Sequence, residues 1–234
     1  MLCNENIDER KVPAKLRDHI SAIRQAVGPD IDIMIDNHGR SRPSLAIRQI
    51  RAVEEFGLLF FEEPVPPDNL DALAVLRKET MGVDLATGER LFTRWGYKDL
   101  LERQLVDVIQ PDIAHTGGIS EMRRISAMAE TYYIQVAPHN PNGPIATAAS
   151  VHLSAAIPNL LILEHALSPP WHDRVQIDPI VLKDGYFELP TAPGLGVELD
   201  MDVLNSRPYE PRPHAGAFYL RWRCCLTSER SSCH

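Results

Sequence analysis

The sequence has little cysteine, no long hydrophobic run and no excess of positive charge. Its four cysteines, Cys3, Cys224, Cys225 and Cys233, all lie near the termini, which excludes a disulfide framework for a core. A zinc site from the last three of these and His234 would have a spacing that fits no familiar pattern, so reduced thiols are the simpler interpretation. No stretch approaches the ~20 apolar residues that a membrane helix needs, and the polar N-terminus lacks the apolar core of a secretion signal. We therefore expect a cytoplasmic protein without membrane contact.

The charge balance is acidic. Among 234 residues, 24 are Lys or Arg and 32 are Asp or Glu, which gives a net charge of −8. This disfavours nonspecific binding of nucleic acid, which depends on clustered cations that neutralise phosphates. It does not exclude an anionic substrate, because a bound metal ion can reverse the local sign of an acidic pocket. Neither G-x-G-x-x-G nor G-x-x-x-x-G-K occurs, so a nucleotide site has little support.

Apolar strand patterns alternate with amphipathic helix patterns along most of the chain. Strands are predicted over residues 31–36, 58–62, 83–87, 106–110, 133–137 and 160–164. Helices are predicted over residues 15–27, 43–56, 69–79, 94–103, 118–131 and 143–155. Continuous apolar strands between such helices predict a parallel sheet covered by helices. Successive strands start 23 to 27 residues apart, a regularity that favours a (β/α) barrel over a doubly wound sheet.

The number of repeats falls short of a closed barrel. We find six βα units, whereas a closed barrel of this type has eight. The fold class is therefore predicted as α/β, a partial TIM-type barrel. Residues 1–14 are interpreted as a lead-in, 15–200 as the barrel domain and 201–234 as an irregular tail. A hairpin is expected around the Asp-Gly pair within residues 183–185.

Acidic residues and histidines follow the predicted strands. In a barrel, the carboxyl ends of the strands meet at the mouth, where active sites are built. Many carboxylates gathered there would repel one another unless a cation were present. The residues concerned, in chain order, are Asp36, His38, Glu62, Glu63, Glu89, Asp112, His139 and Glu164.

Three of the carboxylates lie one βα unit apart on successive strands. Asp36, Glu62 and Glu89 are separated by 26 and 27 residues. A single acidic residue after a strand is more often the N-cap of the next helix. Three in register are better explained as ligands for Mg²⁺, a hard cation that takes oxygen ligands and keeps part of its water shell.

The next two strands end in Asp112 and His139, in QPD and APH contexts. A carboxylate bonded to one ring nitrogen would fix the tautomer and raise the basicity of the other nitrogen. The alternative is a helix-capping aspartate and a loop histidine. His38 lies two residues after Asp36, so strand alternation would place both on one face, although a lone histidine there is more often a surface residue.

Six motifs in order along residues 15–200 resemble the enolase superfamily, in its mandelate racemase-like group. These motifs are IDNHGR, FEEPVPPDN, ATGERLFTRW, IQPDIAHTGGI, APHNPNGPIA and LILEH. Within that group the chain looks most like the D-galactonate dehydratases and related acid-sugar dehydratases. The resemblance implies a homo-oligomer for full-length relatives.

The resemblance also implies a role for each site residue. Asp36, Glu62 and Glu89 match the Mg²⁺ ligands of the family. His139, paired with Asp112, matches the base that removes the proton next to the substrate carboxylate. Further matches complete the implied site: Glu164 as the hydrogen-bond partner of the developing enolate, His38 as the general acid for the leaving hydroxyl, and Glu63 as an orienting neighbour.

The implied activity is the Mg²⁺-dependent dehydration of a small aldonic acid. D-galactonate, giving 2-dehydro-3-deoxy-D-galactonate, is the expected substrate, with gluconate or arabinonate as alternatives. Family members carry a capping domain and two barrel strands before the segment that this sequence resembles. A truncated remnant without catalysis is therefore a second hypothesis. The Lys-x-Lys motif of the racemases is absent from the sequence, which favours dehydration over racemisation.

Overall fold

The computed structural model describes residues 8–166 and 174–208 of the chain. The helices there are α1 Val12–Val27, α2 Pro43–Val53, α3 Leu70–Glu79, α4 Thr93–Glu102, α5 Ile119–Glu130, α6 Pro144–Ser154 and α7 Met201–Asn205. The strands there are β1 Ile33–Asp36, β2 Leu58–Glu62, β3 Leu85–Thr87, β4 Val108–Ile109, β5 Gln135–Val136, β6 Leu182–Lys183 and β7 Tyr186–Phe187. Within these ranges, no helix is both long and apolar enough to cross a membrane.

Strands β1 to β5 form one parallel sheet in chain order. Each strand pairs with the next one along the chain, and a helix crosses over between them. This order is that of a (β/α) barrel, whereas a doubly wound sheet would reverse direction at a switch point. The register places Asp36 beside Glu62 at the carboxyl ends of β1 and β2. The predicted partial barrel is thus confirmed.

Local sequence explains where several of these helices begin and end. Pro43 and Pro144 open α2 and α6, where the missing N–H removes no helical hydrogen bond. Asn69 caps α3, because its side-chain oxygen accepts from the backbone N–H groups two and three residues on. A 3₁₀ turn follows α2 and ends at Gly57, whose φ of 63° is left-handed.

The sheet is buried on both faces. Phe61 points outward and is fully buried against the helices, with Ile50 of α2 and Leu76 of α3 in the same cluster. Its neighbour Phe60 points to the opposite face, where it is buried in a second cluster with Ala86, Val108 and Ala137. The continuous apolar strands of the sequence follow from this double burial, because alternate residues serve two cores.

One predicted strand is not formed. Residues 160–164 form no strand of their own, and an isolated bridge joins Leu160 to Val136 of β5. The Leu161 N–H donates to the Val136 carbonyl at 2.8 Å. Ile162 is 42% exposed, and within residues 8–166 and 174–208 this apolar run has no second neighbouring strand that would bury it.

The C-terminal segment is partly regular. The hairpin is confirmed: β6 and β7 pair in antiparallel fashion, and Asp184 and Gly185 both have positive φ, as a two-residue hairpin turn requires. The predicted irregular tail begins with a regular element, because Asp200 caps the short helix α7, and residues 209–234 of that tail lie outside the described residues. All four cysteines and His234 lie outside the described residues, so the reduced-thiol interpretation stays a prediction.

Candidate active site

The first two site residues lie together at the end of β1. Oδ2 of Asp36 lies 3.1 Å from Nδ1 of His38, and both side chains are about half exposed. His38 has a left-handed backbone with φ of 54°, which is uncommon for a residue other than glycine. This conformation turns the chain sharply after β1 and leaves the imidazole beside Asp36.

Glu89 lies between two histidines. Its side chain is 8% exposed and follows β3. One oxygen, Oε1, lies 3.6 Å from Nδ1 of His38, and the other, Oε2, lies 3.3 Å from Nε2 of His139. The two imidazoles, which are 101 positions apart in the sequence, therefore reach opposite oxygens of one carboxylate.

Asp112 and His139 form the predicted pair. Their side chains meet at 2.8 Å between Oδ2 and Nδ1, and their backbones are joined by a parallel bridge. Burial raises the pKa of Asp112, but hydrogen bonds from His139, Asn142 and the Ala114 backbone outweigh burial and lower it to about 2. Burial likewise opposes protonation of His139, yet the bond to Asp112 and the nearby carboxylates raise its pKa.

Glu62 lies among other acidic groups. Burial raises its pKa to about 8, against a lowering hydrogen bond with Gln110, and the charges of Asp36, Glu89 and Glu164 raise it further. A carboxyl group in such surroundings is stabilised in its ionised form by a cation. The chemistry of the donor set therefore fits a hard divalent ion such as Mg²⁺.

The three carboxylates of that donor set do not form a metal-binding arrangement in the described residues. Among residues 8–166 and 174–208, no three His, Cys, Asp or Glu side chains are arranged so that they could hold a metal ion. Asp36 and Glu89 instead turn towards the imidazoles. The ligand set Asp36, Glu62 and Glu89 stays a prediction.

Glu164 connects the last extended segment to the loop after β5. Its Oε2 accepts from the Asn140 backbone N–H at 2.7 Å, and its carbonyl accepts from the Asn140 side chain at 3.2 Å. The charge of Glu164 acts on both Glu62 and His139. The structure therefore places Glu164 at the same end of the sheet as the other site residues.

Sequence reasoning gave no role to two residues that contact the site. Asn142 donates to Oδ2 of Asp112 at 2.9 Å. Arg90 lies 3.2 Å from carboxylate oxygens of both Glu63 and Glu89 and donates to the His38 carbonyl. Both residues stand inside the recognised motifs, APHNPNGPIA and ATGERLFTRW, but only the folded contacts reveal what they bind.

The motifs and the geometry together define the protein class. A family model described as Enolase C-terminal domain-like matches residues 7–203, and the chain belongs to this family. The expected enolase-superfamily membership and barrel-type fold are confirmed.

Several relatives carry related names. The chain is 35% identical over 207 residues to the D-galactonate dehydratase of Cronobacter sakazakii, covering 86% of this chain and 54% of that protein. It is 36% identical over 192 residues to the D-xylonate dehydratase of Haloferax volcanii, covering 82% and 46%. The chain thus spans about half the length of the curated relatives that it matches.

Solved structures agree with the fold. A mandelate racemase/muconate lactonizing enzyme from Sulfitobacter superposes with a TM-score of 0.84 at 34% identity, covering 91% of this chain and 53% of the other. An enolase from Agrobacterium radiobacter, solved with sodium and L-malate, gives a TM-score of 0.80 at 36% identity, covering 90% and 59%. Both matches leave part of the neighbour's chain without a counterpart.

Proposed function

We propose that this chain carries the catalytic residues of a Mg²⁺-dependent acid-sugar dehydratase. The expected reaction converts D-galactonate to 2-dehydro-3-deoxy-D-galactonate and water. The observation that carries the proposal is the placement of His38 and His139 at opposite oxygens of Glu89. A dehydration needs one group to remove a proton and another to donate one, and this arrangement supplies both within one site.

His139 is the proposed base. Its Nδ1 faces the ionised carboxylate of Asp112 at 2.8 Å, so in the neutral ring Nδ1 carries the proton and Nε2 keeps its lone pair. Nε2 then takes the proton from C2 of the substrate, next to the carboxylate group. The raised pKa of His139 favours this transfer, because it makes the imidazole a stronger base.

His38 is the proposed acid. When the C2 proton has left, the bond between C3 and its hydroxyl oxygen breaks and the electron pair of the former C–H bond becomes the double bond between C2 and C3. The protonated imidazole of His38 gives its proton to the departing oxygen, so water leaves. The resulting enol becomes the 2-keto-3-deoxy acid by tautomerisation.

Three carboxylates would hold the metal ion: Asp36, Glu62 and Glu89. When bound, Mg²⁺ supplies a Lewis acid that stabilises negative charge on the substrate carboxylate as the C2 proton leaves. Glu164, at the same end of the sheet, is the proposed hydrogen-bond partner of that carboxylate.

The identity of the acid sugar rests on fewer observations than the type of reaction. The matched relatives are named for two different acids, D-galactonate and D-xylonate, at nearly equal identity to this chain. Gluconate and arabinonate are further alternatives. A chain that keeps the site residues without catalysis is the second hypothesis, which the following experiment separates from the first.

The test uses the purified chain in D₂O with MgCl₂ and a panel of aldonic acids, followed by proton NMR. We expect a keto-deoxy product from D-galactonate that no longer forms when EDTA is added. His139→Gln should abolish both product formation and deuterium exchange at C2, whereas Arg103→Ala, which changes only a surface ion pair with Asp71, should leave both intact. If no acid of the panel loses its C2 proton, the result contradicts the dehydration of these acids and supports the non-catalytic hypothesis.

A further inference from the structure

The peptide group between His38 and Gly39 is held at both of its ends. Its carbonyl oxygen accepts a hydrogen bond from Nη2 of Arg90 at 3.2 Å. Its N–H donates to the Glu63 carbonyl at 2.8 Å. Because this peptide plane fixes ψ of His38, the two bonds together set the direction in which the imidazole leaves the chain.

Arg90 is itself held by two carboxylates. Its Nε lies 3.2 Å from Oε2 of Glu63 and donates to Oε1 of Glu89 at the same distance. The Glu63 side chain is fully buried, so its charge needs a nearby cation. Arg90 is the cation that lies against it, which links the buried Glu63 to the turn that carries His38.

The turn at His38 and Gly39 packs directly against the ion pair between Arg90 and Glu63. Gly39 has φ of 64°, and a Cβ placed there would lie 3.3 Å from Oε2 of Glu63 and 3.5 Å from Nη1 of Arg90. His38 is also left-handed, with φ of 54°, a conformation that is unfavourable outside glycine and persists only where the surroundings impose it. The hydrogen bond from Arg90 is one of the contacts that impose it.

We propose that Arg90 is the positioning residue of His38, holding the His38–Gly39 peptide so that the imidazole stays beside Asp36 and Glu89. Arg90 makes no direct contact with His139 or Asp112 and reaches His139 only through the Glu89 carboxylate. Loss of its guanidinium should therefore impair proton donation to the leaving hydroxyl more than proton removal at C2. The catalytic part of this inference rests on the proposed function, whereas the conformational part does not.

The conformational part is tested by amide hydrogen exchange measured by NMR on the labelled full chain. In Arg90→Ala, we expect the Gly39 amide to exchange ~10-fold faster or more, while the Phe61 amide, which bonds to Asp84 within the sheet, keeps its protection. Arg103→Ala is the matched control, because the side chain of Arg103 is 41% exposed, like that of Arg90. Unchanged protection of Gly39 in Arg90→Ala would overturn the proposal.

Arg90→Lys covers the case in which Arg90→Ala fails to fold. Lysine keeps a positive charge near the buried Glu63 but lacks the planar group that bonds in several directions at once. Its Gly39 amide should exchange several-fold faster than in the wild type, and a wild-type rate would again count against a role for the guanidinium.

A second measurement links the turn to the chemistry. With an active substrate in D₂O, Arg90→Lys should lower the rate of water loss ~10–100-fold but reduce C2 exchange by less. An equal loss of both rates would mean that Arg90 does not act on catalysis through His38. If the wild-type chain acts on no acid sugar, the proposed function fails, and the exchange rate of Gly39 still decides the structural part.

Discussion

Oδ2 of Asp112 accepts hydrogen bonds from two side chains at once, Nδ1 of His139 at 2.8 Å and Nδ2 of Asn142 at 2.9 Å. With a pKa of about 2, the carboxylate is ionised at neutral pH and can only accept. His139 must therefore donate through Nδ1, which leaves Nε2 to face Glu89. The amide of Asn142 prevents Asp112 from rotating away, and the pair is fixed before any substrate arrives.

Replacing the carboxylate should remove this control of the tautomer. Asp112→Asn is expected to lower the rate of C2–H exchange by roughly 10²–10⁴-fold, because an amide lacks the charge that stabilises the imidazolium and can face His139 with its NH₂ group. Asn142→Ala should have a smaller effect, since Asp112 keeps its bonds from His139 and the Ala114 backbone N–H. NMR in D₂O measures both, and an unaffected rate in Asp112→Asn would refute the assignment of the base.

The same pair should make stability depend on pH in a bell-shaped manner. The pKa of Asp112 is about 2 in the folded chain and ~3.9 when unfolded, so ionised Asp112 contributes about 2 kcal/mol above pH 4, which is lost as the pH falls through 2. The pKa of His139 is raised, so its contribution is complete below its unfolded value of ~6.5 and is lost as the pH rises through its folded value.

Urea unfolding of the wild type and Asp112→Asn, compared at each pH, isolates this effect. The difference in unfolding free energy should be largest between about pH 4 and 6.5 and should decrease on both sides. A difference that does not vary with pH would mean that the pair does not carry the expected charges. The Arg51→Ala variant, which loses a surface ion pair with Glu79, is the control, and we expect it to change stability by less than ~1 kcal/mol.

Divalent metal should stabilise the folded chain. Glu62 is half-buried near Asp36 and Glu89, whose charges help to raise its pKa, and a cation bound among these groups would stabilise the ionised carboxylates. With Mg²⁺ at ~100 times its dissociation constant, linkage adds ~2.7 kcal/mol, which raises the melting temperature of a chain of this size by roughly 5–10 °C. Scanning calorimetry with MgCl₂ against NaCl of equal ionic strength measures the shift.

Variants of the proposed Mg²⁺ ligands serve as controls for the melting experiment. The pKa of Glu62 is raised to about 8, so at neutral pH and without metal Glu62→Gln replaces a largely protonated carboxyl group. The metal-free variant should therefore melt close to the wild-type temperature, while responding less to Mg²⁺. Loss of the Mg²⁺ shift in Glu89→Gln but not in Glu121→Gln, a carboxylate bonded to Arg94 away from the cluster, would locate the ion. An equal shift in all variants would place it elsewhere.

The strands of the parallel sheet were predictable from the sequence, because short continuous apolar runs between amphipathic helices are typical of strands buried on both faces. The segment 160–164 has the same composition but lacks a second neighbouring strand within the described residues, and pairing partners are not encoded in a local pattern. Its terminal residue was nevertheless placed correctly at the sheet end, since Glu164 reaches the loop after β5.

Sequence patterns predicted some of the site residues but not all of them. Asp36, Glu89 and His139 could be proposed from their places after strands, because the carboxyl ends of parallel strands share one edge. Arg90 and Asn142 could not, since their roles depend on contacts with groups 52 and 30 positions away. Such contacts arise from the turn geometry and not from a periodic pattern.

Replacing His38, the proposed acid, should separate proton removal at C2 from loss of the hydroxyl group at C3. His38→Asn keeps a polar side chain beside Asp36 but cannot donate a proton as an imidazolium does. We expect product formation to fall by ~10²-fold or more, while deuterium exchange at C2 continues, because His139 and Asp112 are unchanged. NMR in D₂O follows both signals in one sample, and equal loss of the two would contradict the role of His38.

The backbone that presents Glu89 should be intolerant of a side chain at the residue before it. Gly88 has φ of 139°, and a Cβ there would lie 3.0 Å from the Gln110 backbone nitrogen and 3.1 Å from Cε1 of Tyr97. Tyr97 is fully buried, and its hydroxyl donates to the Gly88 carbonyl at 2.6 Å, so neither neighbour can move without loss. Gly88→Ala should therefore cost more than ~3 kcal/mol in urea unfolding, from strain plus overpacking.

Gly57→Ala separates these two causes. Gly57 is also left-handed, with φ of 63°, but a Cβ there meets nothing within 4 Å. Its replacement should cost only the ~1–2 kcal/mol of the conformation. If the two variants lose the same stability, the contacts around Gly88 do not restrict the position of Glu89. A clearly larger loss for Gly88→Ala means that the residue presenting a proposed metal ligand is held by packing from Tyr97 and the Gln110 backbone.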